Sequence, residues 1–279
     1  MTLGMGPAIL FCPGDRPDRF GKAAERADGV VLDLEDAVGP EAKRSAREAV
    51  ARAQLDPART VVRVNDARSG LLADDLAAVR RSPYRVVMLA KTEAPADVDA
   101  VGDLDVIALC ETARGVLNAA AIAAHPRVVA LMWGAEDLVA SLGGTSSRDA
   151  TGGYRAVALH ARSTVLLAAG ATGKTAIDAV HLDIADLDGC RAEAEDAAAS
   201  GFAAKAAIHP SHVAPIRDAF APSAGELAWA RGVLDAARLA GSEGRGVFRF
   251  DGRMVDEPVL RHARGILARD RSGATSPAP

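Results

Sequence analysis

The chain has 279 residues, 49% of them hydrophobic, and its 33 basic and 37 acidic residues give a formal net charge of −4. This length suits one large domain, and charge this evenly mixed argues against a nucleic acid or a membrane surface as the main partner. The first residues lack the basic and apolar regions of a signal peptide, and no apolar run is long enough to span a bilayer, so we expect a soluble, cytoplasmic protein.

Short apolar runs alternate with alanine-rich amphipathic segments along most of the chain. Eight runs have the Val, Ile and Leu content of strands that are buried on both faces, at 8–12, 29–34, 60–65, 85–90, 106–110, 128–133, 176–182 and 205–208. Helical segments follow them at 16–27, 40–54, 71–81, 94–101, 113–124, 154–169, 187–200 and 213–220. Eight complete strand–helix units predict an α/β fold, a closed (β/α)8 TIM barrel, in preference to an open doubly wound sheet.

The pattern changes after the eighth unit. Residues 226–239 are predicted to be a helix, 247–255 a hairpin that turns at Asp251-Gly252, and 257–268 a final helix before a Ser/Pro-rich tail. We therefore expect a catalytic barrel domain at 1–222 and a C-terminal appendage at 223–279. The periodicity leaves open whether this appendage caps the barrel, contacts another subunit or acts as a lid.

Two acidic residues follow neighbouring strands of the predicted barrel. Glu111 comes after the fifth strand and Asp137 after the sixth, and a TIM barrel collects its active site at these carboxyl ends. Mg²⁺ typically takes one or two protein carboxylates and leaves the rest of its octahedron to other oxygens. The pair predicts a Mg²⁺ site, with a helix N-cap or an ion pair at the barrel rim as the structural alternative.

Arg63 lies inside an apolar strand run and needs an anionic partner, because an unpaired buried charge is costly. A substrate carboxylate or enolate oxygen would serve, and so would Glu35 or Asp36. These two acidic residues begin the second loop, and we expect them to support the site indirectly, since two more direct ligands would overload the cation.

Other patterns indicate different chemistry or none. Lys91 and Lys205 could each form a Schiff base with a carbonyl substrate, and His209 could act as a base, although a strand-end histidine more often bonds a nearby carbonyl. The run 170–175 resembles a phosphate-binding loop, but it lacks the first glycine and precedes a strand where such a loop follows one. The three cysteines match no zinc spacing.

Four motifs of the chain resemble those of citrate lyase β-subunit-like (CitE-like) proteins in the HpcH/HpaI aldolase superfamily of CoA-ester lyases. They are Leu-Asp-Leu-Glu-Asp-Ala-Val at 32–38, Val-Arg-Val-Asn at 62–65, Glu-Thr-Ala-Arg-Gly at 111–115 and Trp-Gly-Ala-Glu-Asp-Leu at 133–138. The match continues at 201–210 and 254–258. Two departures are Ala90, where proline is usual before Lys91, and Cys110, where isoleucine or valine is typical.

The resemblance implies a Mg²⁺-dependent TIM barrel that makes or breaks a carbon–carbon bond beside a thioester. It implies Glu111 and Asp137 as the metal ligands, and Arg63 as the group that binds the substrate and stabilises enolate charge. It implies Asp256, in the appendage, as the acid/base. In this family the appendage closes over the site of an adjacent subunit, so the resemblance also implies a homotrimer in which each lid serves a neighbour.

Further substrate contacts are expected around this centre. Glu111 itself is expected to contact the substrate, together with Glu35, Asp36 and Ala135 of the family motifs. Arg16 and Lys22 follow the first strand and could bind CoA phosphates, with a solvated first helix as an equally good interpretation.

The implied activity is cleavage of a 3-hydroxyacyl-CoA thioester of the citramalyl-, malyl- or hydroxymethylglutaryl-CoA type into acetyl-CoA and a keto acid. Mg²⁺ would be the cofactor, and CoA would enter as part of the substrate. The alternatives are a malate- or citramalate-type synthase or a thioesterase on the same site, and an accessory citrate lyase subunit. A Schiff-base aldolase is less favoured.

Overall fold

The computed structural model describes residues 4–242 and 246–270, and it divides into two compact units between Arg217 and Asp218. The first unit contains eight strands that alternate with helices. The second contains a helix, a hairpin and a further helix.

Eight parallel strands form a closed barrel in sequential order, with the first strand paired to the last. The strands are β1 (Ala8–Pro13), β2 (Gly29–Asp33), β3 (Thr60–Val64), β4 (Val86–Leu89), β5 (Asp105–Cys110), β6 (Val128–Trp133), β7 (Thr175–Asp178) and β8 (Ala204–Ala207). The predicted (β/α)8 TIM barrel is confirmed.

Helices connect the strands of the barrel. They are α1 (Pro17–Arg26), α2 (Lys43–Arg52), α3 (Leu72–Arg80), α4 (Pro95–Asp99), α5 (Ala113–Leu117), α6 (Ala119–Ala123), α7 (Ala135–Ser141), α8 (Ala156–Thr172), α9 (Leu187–Ser200) and α10 (Val213–Phe220), with 3₁₀ turns at Pro40–Ala42, Pro57–Arg59 and Pro210–His212. The helix predicted at 113–124 is two short helices, because Asn118 leaves helical geometry and its side chain donates a hydrogen bond to the Glu93 carbonyl. The sequence did not predict α7. No helix within residues 4–242 and 246–270 has the length and apolarity needed to cross a bilayer.

The interior of the barrel is apolar, and its mouth is polar. Successive side chains of a strand point to opposite sides, so alternate residues of each strand face inward. The inward residues form one buried cluster, made of Ile9, Val31, Val61, Met88, Ile107, Leu109, Ala130, Met132, Ile177, Ala204 and Ala206. Two residues further on, the same alternation places Phe11, Asp33, Arg63 and Glu111 at the mouth of the barrel. The polar side chains of the mouth therefore lie directly above the apolar core of the barrel.

A second set of charges is buried outside the barrel wall. Lys205 alternates with two inward alanines, and its ammonium contacts Asp178 Oδ2 at 3.1 Å and Glu193 Oε2, on α9, at 3.2 Å. Asp178 Oδ1 also accepts hydrogen bonds from Trp133 Nε1 at 2.7 Å and from Arg162 Nε at 2.9 Å. Lys205 thus faces the helix layer and not the mouth, which argues against a Schiff-base role.

The second unit has its own small core. It consists of α11 (Ala224–Ser242), β9 (Phe248–Phe250), β10 (Arg253–Val255) and α12 (Glu257–Ala268), with the two strands antiparallel. The hairpin turns at Asp251 and Gly252, whose φ angles of +46° and +75° suit a two-residue turn of the primed type. Phe248, Val255 and Ile266 are buried between the hairpin and the helices. The predicted helix–hairpin–helix order is present, while its role as a lid stays a prediction.

Candidate active site

A cavity of about 240 Å³ opens at the carboxyl ends of the barrel strands. Four of the residues that the sequence predicts for the site line it together, namely Arg63, Glu111, Ala135 and Asp137. Apolar side chains such as Phe11 form other parts of its wall. The cavity therefore combines charged groups with an apolar wall. Because apolar surroundings lower the local dielectric constant, electrostatic contacts inside the cavity are stronger than in bulk water.

The guanidinium of Arg63 is held by two carboxylates. Asp33 and Arg63 are register partners on β2 and β3, and Nε and Nη2 donate to the two Asp33 oxygens at 2.7 and 2.6 Å. Nη1 lies 3.0 Å from Glu35 Oε2, and the guanidinium carbon lies 4.9 Å from the Phe11 ring centroid. Glu35 was predicted from the sequence as a partner of Arg63, and Asp33 was not. Inward alternation on neighbouring strands is the signal that could have found it.

These contacts fix the charge of Arg63. Burial by itself would lower the pKa of Arg63, but the hydrogen bonds to Asp33 and the charges of Asp33, Glu35 and Glu111 outweigh it and raise the pKa above its ordinary range. Burial also raises the pKa of Glu35, in part offset by Arg63 and Lys91. The cavity therefore contains a permanent, oriented cation.

Lys91 follows β4, and its ammonium lies among three carboxylates. It forms an ion pair with Glu35 and lies 3.2 Å from both Asp36 Oδ2 and Asp137 Oδ1. Burial would lower the pKa of Lys91, but the hydrogen bond and the charge of Glu35 outweigh it and raise the pKa above its ordinary range. An amine that stays protonated is a poor nucleophile, so the geometry does not favour a Schiff base at Lys91.

Glu111 is almost fully buried. Its side chain is 3% exposed, and Oε1 accepts a hydrogen bond from the backbone N–H of Lys91 at 3.1 Å. Among the described residues, no Lys, Arg or His forms an ion pair with it. Burial first, and then the negative charge of Asp137, raise the pKa of Glu111 to about 8. A Cβ at position 134 would lie 2.6 Å from Glu111 Oε2, so only glycine fits beside this carboxylate.

Asp137 follows the sixth strand, as predicted, but it lies in a helix and not in a loop at the strand end. The chain leaves β6 at Gly134 and enters α7 at once, which places Asp137 in the first turn of that helix. Its side chain is 34% exposed and lines the cavity. Ala135, buried at the start of the same helix, lines the cavity as well.

Glu111 and Asp137 form a donor set that fits a hard divalent cation. Both line the same cavity, their negative charges act on each other, and Glu111 forms no ion pair among the described residues, although Lys91 and Arg63 act on it from a distance. Carboxylate oxygens are the ligands that Mg²⁺ prefers. Within the residues described, no cluster of three or more His, Cys, Asp or Glu side chains is arranged to hold a metal ion. A cation bound here would complete its shell with substrate or water oxygens.

The other predicted residues lie elsewhere. Arg16 pairs with Asp18 at 3.0 Å on an exposed surface, and Lys22 is exposed on α1, so neither lines the cavity. Asp36 is largely exposed, at 60%, and joins the network through the Lys91 ammonium and through its own N–H, which donates to Glu35 Oε2 at 3.1 Å. Asp256 belongs to the second unit, where it precedes α12 without capping that helix by its side chain.

Two further sequence patterns have structural roles. The run 170–175 covers the end of α8 and the start of β7, the opposite order from a phosphate-binding loop. His209 is exposed, and its Nδ1 lies 2.7 Å from Ser211 Oγ and accepts a hydrogen bond from the Ser211 N–H at the start of a 3₁₀ turn.

The chain is similar in sequence to a family of known proteins. The HpcH/HpaI aldolase/citrate lyase family matches residues 8–210. The citrate lyase subunit beta-like protein of Mycobacterium tuberculosis (strain ATCC 25618 / H37Rv) is 55% identical over 264 residues, which cover 95% of each chain. The mitochondrial citramalyl-CoA lyase of Homo sapiens is 32% identical, over 93% of this chain and 84% of that one.

A solved structure agrees with the sequence relatives. The crystal structure of CitE from Mycobacterium tuberculosis in complex with magnesium, acetoacetate and coenzyme A matches with a TM-score of 0.91 at 54% identity. The match covers 96% of this chain and 98% of the other. The resemblance seen in the sequence motifs is thereby confirmed, and the chain belongs to the HpcH/HpaI aldolase/citrate lyase family.

Proposed function

We propose that the chain is a Mg²⁺-dependent CoA-ester lyase that cleaves a 3-hydroxyacyl-CoA of the citramalyl-, malyl- or hydroxymethylglutaryl-CoA type to acetyl-CoA and a keto acid. The observation that carries this proposal is the single cavity shared by a fixed arginine, Arg63, and two carboxylates suited to a cation, Glu111 and Asp137. The similarity to a CitE that binds magnesium and coenzyme A, and to a citramalyl-CoA lyase, supports it.

Glu111 and Asp137 would hold the Mg²⁺, which when bound supplies a Lewis acid and a template for the carboxylate and hydroxyl oxygens of the departing keto acid. Glycine at position 134 leaves the space that Glu111 occupies. The Lys91 N–H fixes one Glu111 oxygen and leaves Oε2 for a ligand.

The reaction requires a base for the hydroxyl proton of the substrate and a group that stabilises the negative charge of the enolate. The substrate hydroxyl loses its proton as the C2–C3 bond breaks, the C3–O bond becomes a carbonyl, and the electron pair of the broken bond passes to the thioester enolate. Return of a proton to C2 of the enolate then gives acetyl-CoA. We assign the proton acceptor to Asp256, whose carboxylate has no hydrogen bond or ion pair among the described residues. In the reverse, condensing direction the same residue would be the acid.

Arg63 would stabilise the enolate. Asp33 takes one N–H from Nε and one from Nη2, and the remaining donors of Nη1 and Nη2 are available to Glu35 and to a substrate oxygen. A donor that is already oriented stabilises developing charge without reorganising, and more strongly in a site that excludes water.

Several parts of the proposal concern the surroundings of this centre. The second unit would act as a lid that excludes water over the site of an adjacent subunit in a homotrimer. Ala135, Glu35 and Asp36 would border the substrate, and Arg16 and Lys22 would meet CoA phosphates. The cytoplasm would be the compartment.

Product analysis tests the activity and its alternatives. The pure protein with Mg²⁺ is incubated with citramalyl-, malyl- and hydroxymethylglutaryl-CoA, and the products are identified by mass. The proposal expects acetyl-CoA and a keto acid in equal amounts. Release of free CoA would contradict the lyase activity and support a synthase or a thioesterase. If no free acyl-CoA is turned over, an accessory subunit is supported.

A further inference from the structure

Lys91 has a backbone conformation that few side-chain-bearing residues adopt. Its φ angle is +48°, in the left-handed region, and non-glycine residues held there are uncommon and occur in tight turns and at functional sites. Both sides of the residue are held in place. Its N–H donates to Glu111 Oε1 at 3.1 Å, and its carbonyl accepts from Arg68 Nη2 at 2.8 Å. Position 91 is therefore fixed by its main chain, whatever its side chain does.

The fixed main chain aims the Lys91 ammonium at the carboxylate proposed as a metal ligand. Nζ lies 3.2 Å from Asp137 Oδ1 and also pairs with Glu35, the partner of Arg63. The side chain is 27% exposed, so this charge is only partly screened by solvent. One residue thus contacts Glu111 through its backbone and Asp137 through its ammonium.

We propose that Lys91 is a positioning residue that shares Asp137 with the divalent cation and, through its positive charge, sets how tightly the site binds that cation. Two cations that use one carboxylate repel each other over a few ångströms. In a partly buried site this repulsion is several times stronger than in bulk water. The charge of Lys91 should therefore weaken cation binding. The same ammonium holds the carboxylates of Glu35 and Asp137 in place. This inference rests on the proposed Mg²⁺ site.

Mn²⁺ binding measures the effect without any turnover. Mn²⁺ replaces Mg²⁺ at oxygen sites, and the loss of its free EPR signal on titration gives a dissociation constant. Lys91→Met keeps the side-chain length and the left-handed backbone but removes the charge. We expect it to bind Mn²⁺ about tenfold more tightly than the unchanged protein, while Lys91→Arg, which keeps the charge, stays close to the unchanged protein.

Lys174→Met is the matched control, because Lys174 lies just before β7, at the opposite end of the barrel, and should not alter binding. Equal or weaker Mn²⁺ binding by Lys91→Met, with its circular dichroism spectrum unchanged, would overturn the inference and leave the proposed metal site standing. If the unchanged protein binds no Mn²⁺ at all, or Glu111→Gln binds it equally well, the proposed function itself fails. If Lys91→Met does not fold, the same titration is carried out on Lys91→Gln, which also removes the charge.

Discussion

Asp33 and Arg63 face each other across β2 and β3, and two hydrogen bonds of 2.7 and 2.6 Å lock the guanidinium to the carboxylate. Asp33 also accepts the Glu35 N–H at 2.9 Å, so the same carboxylate shapes the loop that follows it. Asp33 is 1% exposed and lies beside the arginine on the neighbouring strand. Its two hydrogen bonds hold the guanidinium in one direction.

Asp33→Asn should lower kcat/KM roughly 10- to 100-fold, the usual cost of losing a group that orients a binding residue. The amide can accept from only one of the two guanidinium nitrogens, so Arg63 would lose its fixed direction. Steady-state kinetics on the preferred thioester measures the change. Asp103→Asn, at an exposed surface pair, is the control. An unaltered kcat/KM in Asp33→Asn would show that Arg63 needs no such support.

Removal of either proposed metal ligand should abolish Mg²⁺-dependent turnover and leave the fold intact. Glu111→Ala or Asp137→Ala is expected to reduce kcat by about three orders of magnitude, because Lewis-acid activation is worth several kcal/mol. Glu195→Gln removes an exposed charge on α9 and serves as the control. Circular dichroism checks the fold, and full activity in either alanine variant would refute the metal assignment.

Gly134→Ala tests the space beside Glu111. The new Cβ would lie 2.6 Å from Oε2 and 2.9 Å from the Cβ of Glu111, so the carboxylate must shift. We expect a loss of about 1–3 kcal/mol in the free energy of unfolding, together with weaker Mn²⁺ binding. Gly170→Ala, in α8 with nothing near the added methyl, should be neutral or stabilising. Equal Mn²⁺ affinity in Gly134→Ala would mean that Glu111 does not bind the cation.

Asp256→Asn should lower kcat much more than it changes KM. An amide cannot take the hydroxyl proton, and its size and polarity otherwise match the carboxylate. Asp251→Asn, in the hairpin turn of the same unit, tolerates the left-handed backbone and is the control. If kcat of Asp256→Asn equals that of the unchanged protein, the second unit has a structural role only.

Acid should remove the stability that Asp178 contributes. Burial would raise the pKa of Asp178, but the charges of Lys205 and Arg162 outweigh it and hold the pKa below the ordinary 3.8. A carboxyl whose folded pKa is depressed stabilises the fold above its unfolded pKa, and this contribution is lost as the pH falls through the lower folded value. The contribution should be complete at neutral pH and should decline below pH 3.8.

Urea unfolding of Asp178→Asn measures this contribution. At pH 7 the variant should lose about 3–5 kcal/mol, because it leaves the buried charges of Lys205 and Arg162 without the carboxylate they share. The difference from the unchanged protein should shrink as the pH is lowered below the ordinary pKa of the carboxyl. The double variant Asp178→Asn/Lys205→Met should recover part of the loss, since it removes one of those two charges. A difference that stays constant with pH would contradict the assigned direction.

The barrel could be predicted from the sequence because its strands are short, continuous apolar runs, whose burial leaves little choice of structure. The strand ends were predicted to within a few residues, and Glu111 could be placed at one of them. Asp137 could be placed only near the sixth strand, because α7 is a helix of seven residues that was not predicted from the sequence.

Asp33 and Lys91 differ in how far their positions could be predicted from the sequence. Asp33 was within reach, because alternation along β2 and β3 puts it opposite Arg63. The position of Lys91 was not, because it depends on a left-handed backbone that Arg68 and Glu111 hold from either side. Pattern analysis finds residues at strand ends, but the direction in which a loop side chain points is decided by tertiary contacts.

The polar layer on top of the apolar barrel core has a consequence for how such a protein can change over time. Phe11, Asp33 and Arg63 lie on three different strands and Glu111 directly follows a fourth, and the buried layer beneath them holds those strands in place. A substitution at one strand end can therefore alter the polar side chains it contacts while the buried layer beneath stays in place. New substrates can be acquired one position at a time, with the folding core unaltered.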